Sequence, residues 1–341
     1  MKKNQIYKGF KVLDIVPVED CSSTGILLRH EKTKLEVFHL LNNDEENLFA
    51  FTFRTPPLDS SGIAHVIEHS VLCGSKKYPL KDPFISLENQ SVNTYLNAYT
   101  LTDHTVYPAS SIIKADYFNL MSVYADAVFF PLLKPEIFMQ EAVRLEVDEN
   151  KQPSIQGVVY NEMKGNYSSF ESVASSFADK TVLAGTHYVY DHGGDPLVIP
   201  ELTLAKVKAF HKKHYCPANC KIFLYGNIPT EEHLDFLSEN LLCHFTQAGK
   251  VVSWPKETKV AISPRCDGLG PLTGDGGKSS TLVYWKIECQ KNKRPLELTE
   301  ILFLTNLLWG DDSAPVAKKL LDSGLGQDLA PQAGCRLSSI Y

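Results

Sequence analysis

Between Tyr7 and Thr55 the chain alternates short apolar segments with polar turns, and this pattern admits little besides an antiparallel sheet. Residues 10–18, 25–29, 35–41 and 48–53 read as strands, separated by turns such as Glu19-Asp20-Cys21-Ser22-Ser23 and Asn42-Asn43-Asp44-Glu45-Glu46. Short links between consecutive strands favour antiparallel pairing. Pro56-Pro57 ends the last strand, and Asp59-Ser60-Ser61 opens a helix that runs from Gly62 to Gly74. That helix packs against the sheet, so whatever it carries is held on a rigid element.

It carries His65 and His69, four residues apart, with Glu68 between them. Side chains at that spacing leave one face of a helix, so two imidazoles can grip a single metal ion while Glu68 reaches a point beside it. The order His-x-x-Glu-His is the reverse of His-Glu-x-x-His and proposes a zinc hydrolase, although two histidines beside Ile63, Ile67 and Val71 also suit a half-exposed amphipathic face. A catalytic zinc takes three protein ligands. Glu162, within the apolar run Gly157-Val158-Val159-Tyr160-Asn161-Glu162-Met163, is a candidate for the third, because a carboxylate there is costly unless paired or metal-bound. Glu141 and Glu146, on a helix expected over 136–147, are rivals on position alone that read better as partners of the ligands or as charges on the helix surface.

The remaining composition narrows the function class. The 341 residues are 43% hydrophobic and 22% charged, enough for two globular domains, and a formal charge of −6 without basic runs excludes a nucleic-acid footprint. No apolar segment approaches the ~20 residues of a membrane span. Eight cysteines lack disulfide-framework spacing, which favours free thiols in a reducing compartment; the cytoplasm is expected, or a mitochondrial or plastid matrix after processing.

A strand is expected over 93–108, its polar alternation and terminal Pro108 marking an edge onto which an extended peptide could add, although a plain sheet strand suits the same spacing equally well. Helices follow over 84–89, 113–130, 202–214 and 229–243, with a strand over 221–225. His211, His214, Cys216 and Cys220 lack the spacing of a zinc finger, and a helix-to-strand corner explains them better. Pro- and Gly-rich residues 247–278 read as a linker between a domain over 1–246 and an incomplete α+β domain over 279–341, with a strand over 280–288 and helices over 296–308 and 314–323. Gly274-Asp275-Gly276-Gly277-Lys278-Ser279 is a glycine-rich turn, since Leu272 stands where a phosphate loop needs its first glycine.

The string His65-Val66-Ile67-Glu68-His69-Ser70-Val71-Leu72-Cys73-Gly74-Ser75-Lys76-Lys77-Tyr78-Pro79, together with Asn97-Ala98-Tyr99-Thr100, Thr105-Val106-Tyr107-Pro108 and 157–165, closely resembles the pitrilysin and insulysin zinc peptidases, in their presequence protease and falcilysin branch. The resemblance implies an α+β fold, an antiparallel sheet covered by helices followed by the start of a similar domain. It implies one Zn2+ per chain on His65, His69 and Glu162, Glu68 as general base, and Asn97, Ala98 and Tyr99 on the substrate-holding edge. It further implies an endopeptidase for short unfolded peptides, such as cleaved targeting peptides. Two halves of such a clamshell close on the substrate, so a C-terminal half is an expected partner, and its Arg and Tyr have no counterpart to name in this chain. The final residues, 330–341, depart from a normal domain finish. Two other readings therefore accompany the enzyme: a zinc-binding but inactive truncated piece, and a non-catalytic binding or structural subunit, against which the retention of His65, Glu68, His69 and Glu162 argues. Cys73, one turn beyond His69, reads as a buried structural thiol.

Overall fold

The computed structural model describes residues 1–258, 260, 265–270, 279–284 and 294–329. After a short strand β1 (Ile6–Tyr7), the four expected strands form as β2 (Phe10–Val18), β3 (Ser23–His30), β4 (Glu36–Leu41) and β5 (Asn47–Arg54). Next come α1 (Ile63–Val71), α2 (Pro83–Gln90), β6 (Asn93–Leu96), β7 (Tyr99–Thr100), β8 (His104–Ser111), α3 (Lys114–Phe129) and α4 (Pro135–Glu141). The order continues through β9 (Arg144–Val147), β10 (Pro153–Gln156), α5 (Val158–Asn166), α6 (Phe170–Val182), α7 (Leu204–His214), β11 (Cys220–Gly226), α8 (Thr230–Asn240), α9 (Arg294–Trp309) and α10 (Pro315–Asp322).

Two compact units result, and they interleave in sequence. The first holds Met1–Met163 and Tyr190–Pro255, the second Lys164–Val189 and Lys256–Tyr341. The first is organised on a nine-stranded sheet of order β1-β2-β3-β4-β11-β5-β8-β6, with β7 also paired to β8. All its pairings are antiparallel except one. β11 inserts between β4 and β5, parallel to the former and antiparallel to the latter, so the two strands joined by the turn at 42–46 are not neighbours. Tight links had suggested direct pairing; the apolar Ile222 and Leu224 of β11, both buried, take the central position instead.

Phe49, Phe51 and Phe53, spaced by two, point to one face of β5 and are fully buried. Phe49 meets Tyr117 and Tyr124 of α3 edge-on, and Phe53 stacks on Tyr215 just after α7 at 4.3 Å between ring centres. Large aromatic rings are what hold these helices to the sheet. Intervening Leu48, Thr52 and Arg54 stay half-buried, so the opposite face of β5 is the more open one.

Under α3 and α8 lies a polar exception within this core. His39 of β4 and His233 of α8 are fully buried with ring centres 5.1 Å apart. His39 Nδ1 lies 2.8 Å from the Thr230 hydroxyl. His233 Nδ1–H donates to the Pro229 carbonyl at 3.2 Å, which leaves Nε2 to accept from Tyr117 O–H at 3.0 Å. Burial pushes His39 down to about 4, and burial together with His39 pushes His233 down to about 3.

Three expectations need correction. The extended run 93–108 is not one strand: a bulge and a corner divide it into β6, β7 and the start of β8, and β8 is internal, paired on one side with β5 and on the other with β6 and β7. Only β6 and β7 carry the edge. The helix expected over 136–147 stops at Glu141, after which Arg144-Leu145-Glu146-Val147 alternates with period two and pairs with β10. Described residues 279–284 carry no strand, and the rest of the strand expected over 280–288 lies outside the described residues, as do 274–278 of the glycine-rich turn.

In the second unit α9 and α10 form over the expected stretches and pack on each other, and Phe170 and Phe177 of α6 lie against Gly270 and Gly268. Among the described residues, no helix is long and apolar enough to cross a membrane. All six described cysteines are free thiols.

Candidate metal centre

α1 is where the metal-binding pattern sits, and the helix places it as the spacing requires. The imidazoles of His65 and His69 stand side by side, ring centres 4.9 Å apart, on a helix whose other residues, Ala64, Val66, Ile67 and Val71, are buried. From α5, 93 positions after His69, Glu162 reaches the same point: its Oε2 lies 3.5 Å from His65 Nε2 and 3.9 Å from His69 Nε2. Among the described residues, this is the group of His, Cys, Asp or Glu side chains with donor atoms within 4.8 Å of one another. Donors on a tetrahedral zinc with bonds of about 2.0–2.2 Å are separated by about 3.3–3.5 Å. The observed pairs are at or slightly wider than that, and the two-nitrogen, one-oxygen set is one that zinc accepts.

The orientation of each ring is set from behind. His65 Nδ1–H donates to the carbonyl of Gly193 at 2.9 Å, because a carbonyl can only accept. His69 Nδ1 lies 3.3 Å from Glu141 Oε2, and the carboxylate fixes the proton on that nitrogen. Both Nε2 lone pairs are thereby turned toward Glu162, the arrangement of histidine ligands with an outer acceptor. Glu141 is buried, and its Oε1 accepts from Gln140 Nε2 at 2.8 Å and from the Cys73 thiol at 3.6 Å. Burial, the largest single influence, would raise its carboxyl; His69 and the hydrogen bonds from Gln140 and Cys73 together outweigh burial and hold it below the usual range. Burial likewise opposes charge on His65, but its bonds to Glu162 and Gly193 and the charge of Glu68 raise it on balance. Glu162 is lowered, first by the hydrogen bond to His65. A metal ion would take the place of the proton these groups share.

Glu68 is buried on α1. Beneath it lie Tyr107 and Tyr215, hydroxyls 2.7 Å apart, both raised chiefly by burial and further by the Glu68 charge. Asn97, Ala98 and Tyr99 form the corner between β6 and β7, and β7 packs against α1. Asn97 N–H donates to the Pro108 carbonyl at 3.2 Å, Tyr124 O–H donates to the Asn97 carbonyl at 3.1 Å, and Asn97 Nδ2 reaches the Tyr99 hydroxyl at 2.9 Å, so the corner is pinned from within. Tyr99 is also in contact with the Tyr95 hydroxyl.

Glu146 does not join this group. It lies exposed on β9, paired with Arg144, because the helix that would have carried it toward the histidines ends at Glu141. His211 and His214 are structural: His211 Nε2–H donates to the Val128 carbonyl at 2.8 Å and His214 Nδ1–H to the Arg54 carbonyl at 3.1 Å. Cys73 is half-buried, and burial first, then Glu141, drives its thiol well above the ordinary range. The carbonyl of Gly193 was not anticipated, since a backbone oxygen leaves no mark in a side-chain pattern; the turn composition of Asp191-His192-Gly193-Gly194-Asp195-Pro196 is the one available signal.

Residues 54–179 match the family described as Insulinase (Peptidase family M16), and 201–331 match the Peptidase M16 inactive domain. The chain belongs to peptidase family M16. It is 38% identical over 335 residues to the mitochondrial presequence protease of Xenopus laevis, covering 96% of this chain and 32% of that protein. Presequence protease 1, chloroplastic/mitochondrial, of Arabidopsis thaliana is 40% identical over 331 residues, covering 94% of this chain and 30% of that protein. This M16 chain thus spans about a third of the length of the curated relatives it matches. The crystal structure of pitrilysin superposes with a TM-score of 0.59 at 18% identity, over 75% of this chain and 26% of that one, a likeness of fold.

The arrangement around His69 yields an expected result. Replacing Glu141 by alanine removes the acceptor that fixes the ring, and zinc affinity, read by competition with a chromophoric chelator, should fall about 10–100-fold. Unchanged affinity would show that His69 needs no such partner.

Proposed function

We propose that this chain is the zinc-holding part of an endopeptidase that hydrolyses short unfolded peptides. The observation that carries the reading is the convergence of His65 Nε2, His69 Nε2 and Glu162 Oε2 from two helices, with buried Glu68 one residue before His69. One zinc ion on these donors supplies Lewis acidity beside a scissile carbonyl. Glu68 takes the proton of the attacking water and returns it to the leaving amine nitrogen. His65 and His69 keep their Nδ1 protons on Gly193 and Glu141, so neither ring drifts to the wrong tautomer during that transfer.

The outer edge formed by β6 and β7 takes the peptide as an added strand beside α1, with Asn97, whose own N–H and carbonyl are bonded internally, holding the corner and Ala98 and Tyr99 continuing the edge. An extended chain fits such an edge and a folded one does not. Cleaved targeting peptides are the substrate class, in line with the relatives whose names are presequence protease. The free thiols suit a reducing compartment, the cytoplasm or an organellar matrix.

A second reading has one observation in its favour. Because the chain spans about a third of its curated relatives, it would hold zinc yet depend on a further half to close over the peptide. Metal analysis with a cleavage assay on an unstructured peptide tests both. Stoichiometric zinc with cleavage abolished by chelation is the expected result. Zinc without cleavage assigns the chain as the metal-holding portion only, and no zinc removes both readings.

A further inference from the structure

The two histidines are held from behind by different devices, and the one behind His65 comes from a turn 128 residues away in sequence. That turn is built around Asp191. Its Oδ1 accepts from the backbone N–H of Gly193 at 3.0 Å and of Gly194 at 3.2 Å, closing the loop so that the Gly193 carbonyl points outward. Ser60, just before α1, clamps the loop on both sides: its Oγ accepts from Asp191 N–H at 3.1 Å and its carbonyl from Asp195 N–H at 2.7 Å.

The approach is as close as two backbones can make. A Cβ on Gly62 would lie 2.5 Å from the Gly193 oxygen and 2.7 Å from the Gly194 Cα, and Gly62 and Gly194 both have positive φ, +65° and +108°. Only glycine fits either position without displacing the turn. On its other side Gly193 faces Met163, the residue that follows Glu162: a Cβ there would lie 2.8 Å from the Met163 sulfur. One loop therefore touches the helix bearing His65 and the helix bearing Glu162.

We propose that the turn at 191–194 is the gauge of the metal centre, with Asp191 as its positioning residue: it fixes the His65 tautomer and sets the separation between His65 and Glu162. The proposal rests on the zinc reading above for its consequence in affinity, but not for its consequence in the imidazole. Without the two bonds to Oδ1, the Gly193 peptide loses what aims its carbonyl at Nδ1, and its hold on the Nδ1 proton weakens.

Two readouts test it on the intact chain: 15N chemical shifts of the His65 ring in the metal-free protein, and zinc affinity by chelator competition. Wild type should show a proton on Nδ1 throughout, held by the Gly193 carbonyl, with any second proton on Nε2 facing Glu162. Asp191→Ala should show a mixture and bind zinc about 10–100-fold more weakly, the usual cost of an outer partner. Asp191→Asn keeps an oxygen acceptor and should restore both readouts toward wild type, while Ser60→Ala, a milder change, should give an intermediate loss. A wild-type tautomer and wild-type affinity in Asp191→Ala overturn the proposal. If Glu162→Gln and His65→Ala leave zinc affinity untouched, the metal reading fails, and the tautomer still decides the role of the turn.

Discussion

Glu68→Gln should leave zinc content unchanged and lower kcat for an unstructured peptide by about 10^2–10^4-fold, the range that a positioned general base contributes. The two halves of that expectation come from one geometry. Glu68 shares α1 with both histidines but stands outside the group of donors that His65, His69 and Glu162 complete. Glutamine keeps its length and shape and loses only its capacity to take a proton. Single-turnover cleavage followed by mass spectrometry, with metal content measured on the same sample, reads both. Loss of zinc would place Glu68 among the ligands; cleavage at the wild-type rate would remove it from the chemistry.

The second large effect concerns stability in mild acid. In the unfolded chain a histidine titrates near 6.5, whereas burial holds His39 at about 4 and His233 at about 3. Because the folded values are depressed, the unfolded state binds more protons through this window, and stability present above pH 6.5 is lost as the pH falls toward 4 and below. At pH 5 each of the two buried rings costs about 2 kcal/mol, or about 4 kcal/mol for the pair. His211 and His214, both also near 4 through burial, act in the same direction. Urea unfolding of the chelator-stripped protein at pH 7 and pH 5 measures the loss. The variant His233→Gln should shrink the difference between the two pH values by about 2 kcal/mol, whatever it does to stability at pH 7. A difference of the same size in the variant would show that the pair is not its source.

Much of the candidate metal site's geometry was legible because it is local. His65, Glu68 and His69 occupy two turns of one helix, and a helix brings residues four apart together whatever surrounds it. The aromatic alternation of Phe49, Phe51 and Phe53 announced a strand with one buried face for the same reason. What failed to show was decided over long distances or by backbone atoms. Nothing near β4 or β5 says that residues 220–226 will come between them. Glu141 could be named as a partner by its position, but its neighbour in that expectation, Glu146, left the site because the chain switched from helix to strand after Ala142. Period-two alternation in Arg144-Leu145-Glu146-Val147 was the overlooked signal. Gly193 left only the turn composition of residues 191–196 as a sign, since it contributes an oxygen that every residue possesses.

The placement of β11 also governs the order in which the molecule can come into being. A ribosome releases β4 and β5 early, yet the strand that separates them emerges about 170 residues after β5, roughly 10–35 s later at 5–20 residues per second. Until then the edges that β11 will cover have no partner, on β4 with Phe38 and on β5 with Phe49, Phe51 and Phe53, and their direct union would be a mistake that later synthesis must undo. The polar turn at 42–46 is thus more than a connector. In the folded sheet it spans the width of a whole strand, and no fragment that ends before Cys220 contains that strand.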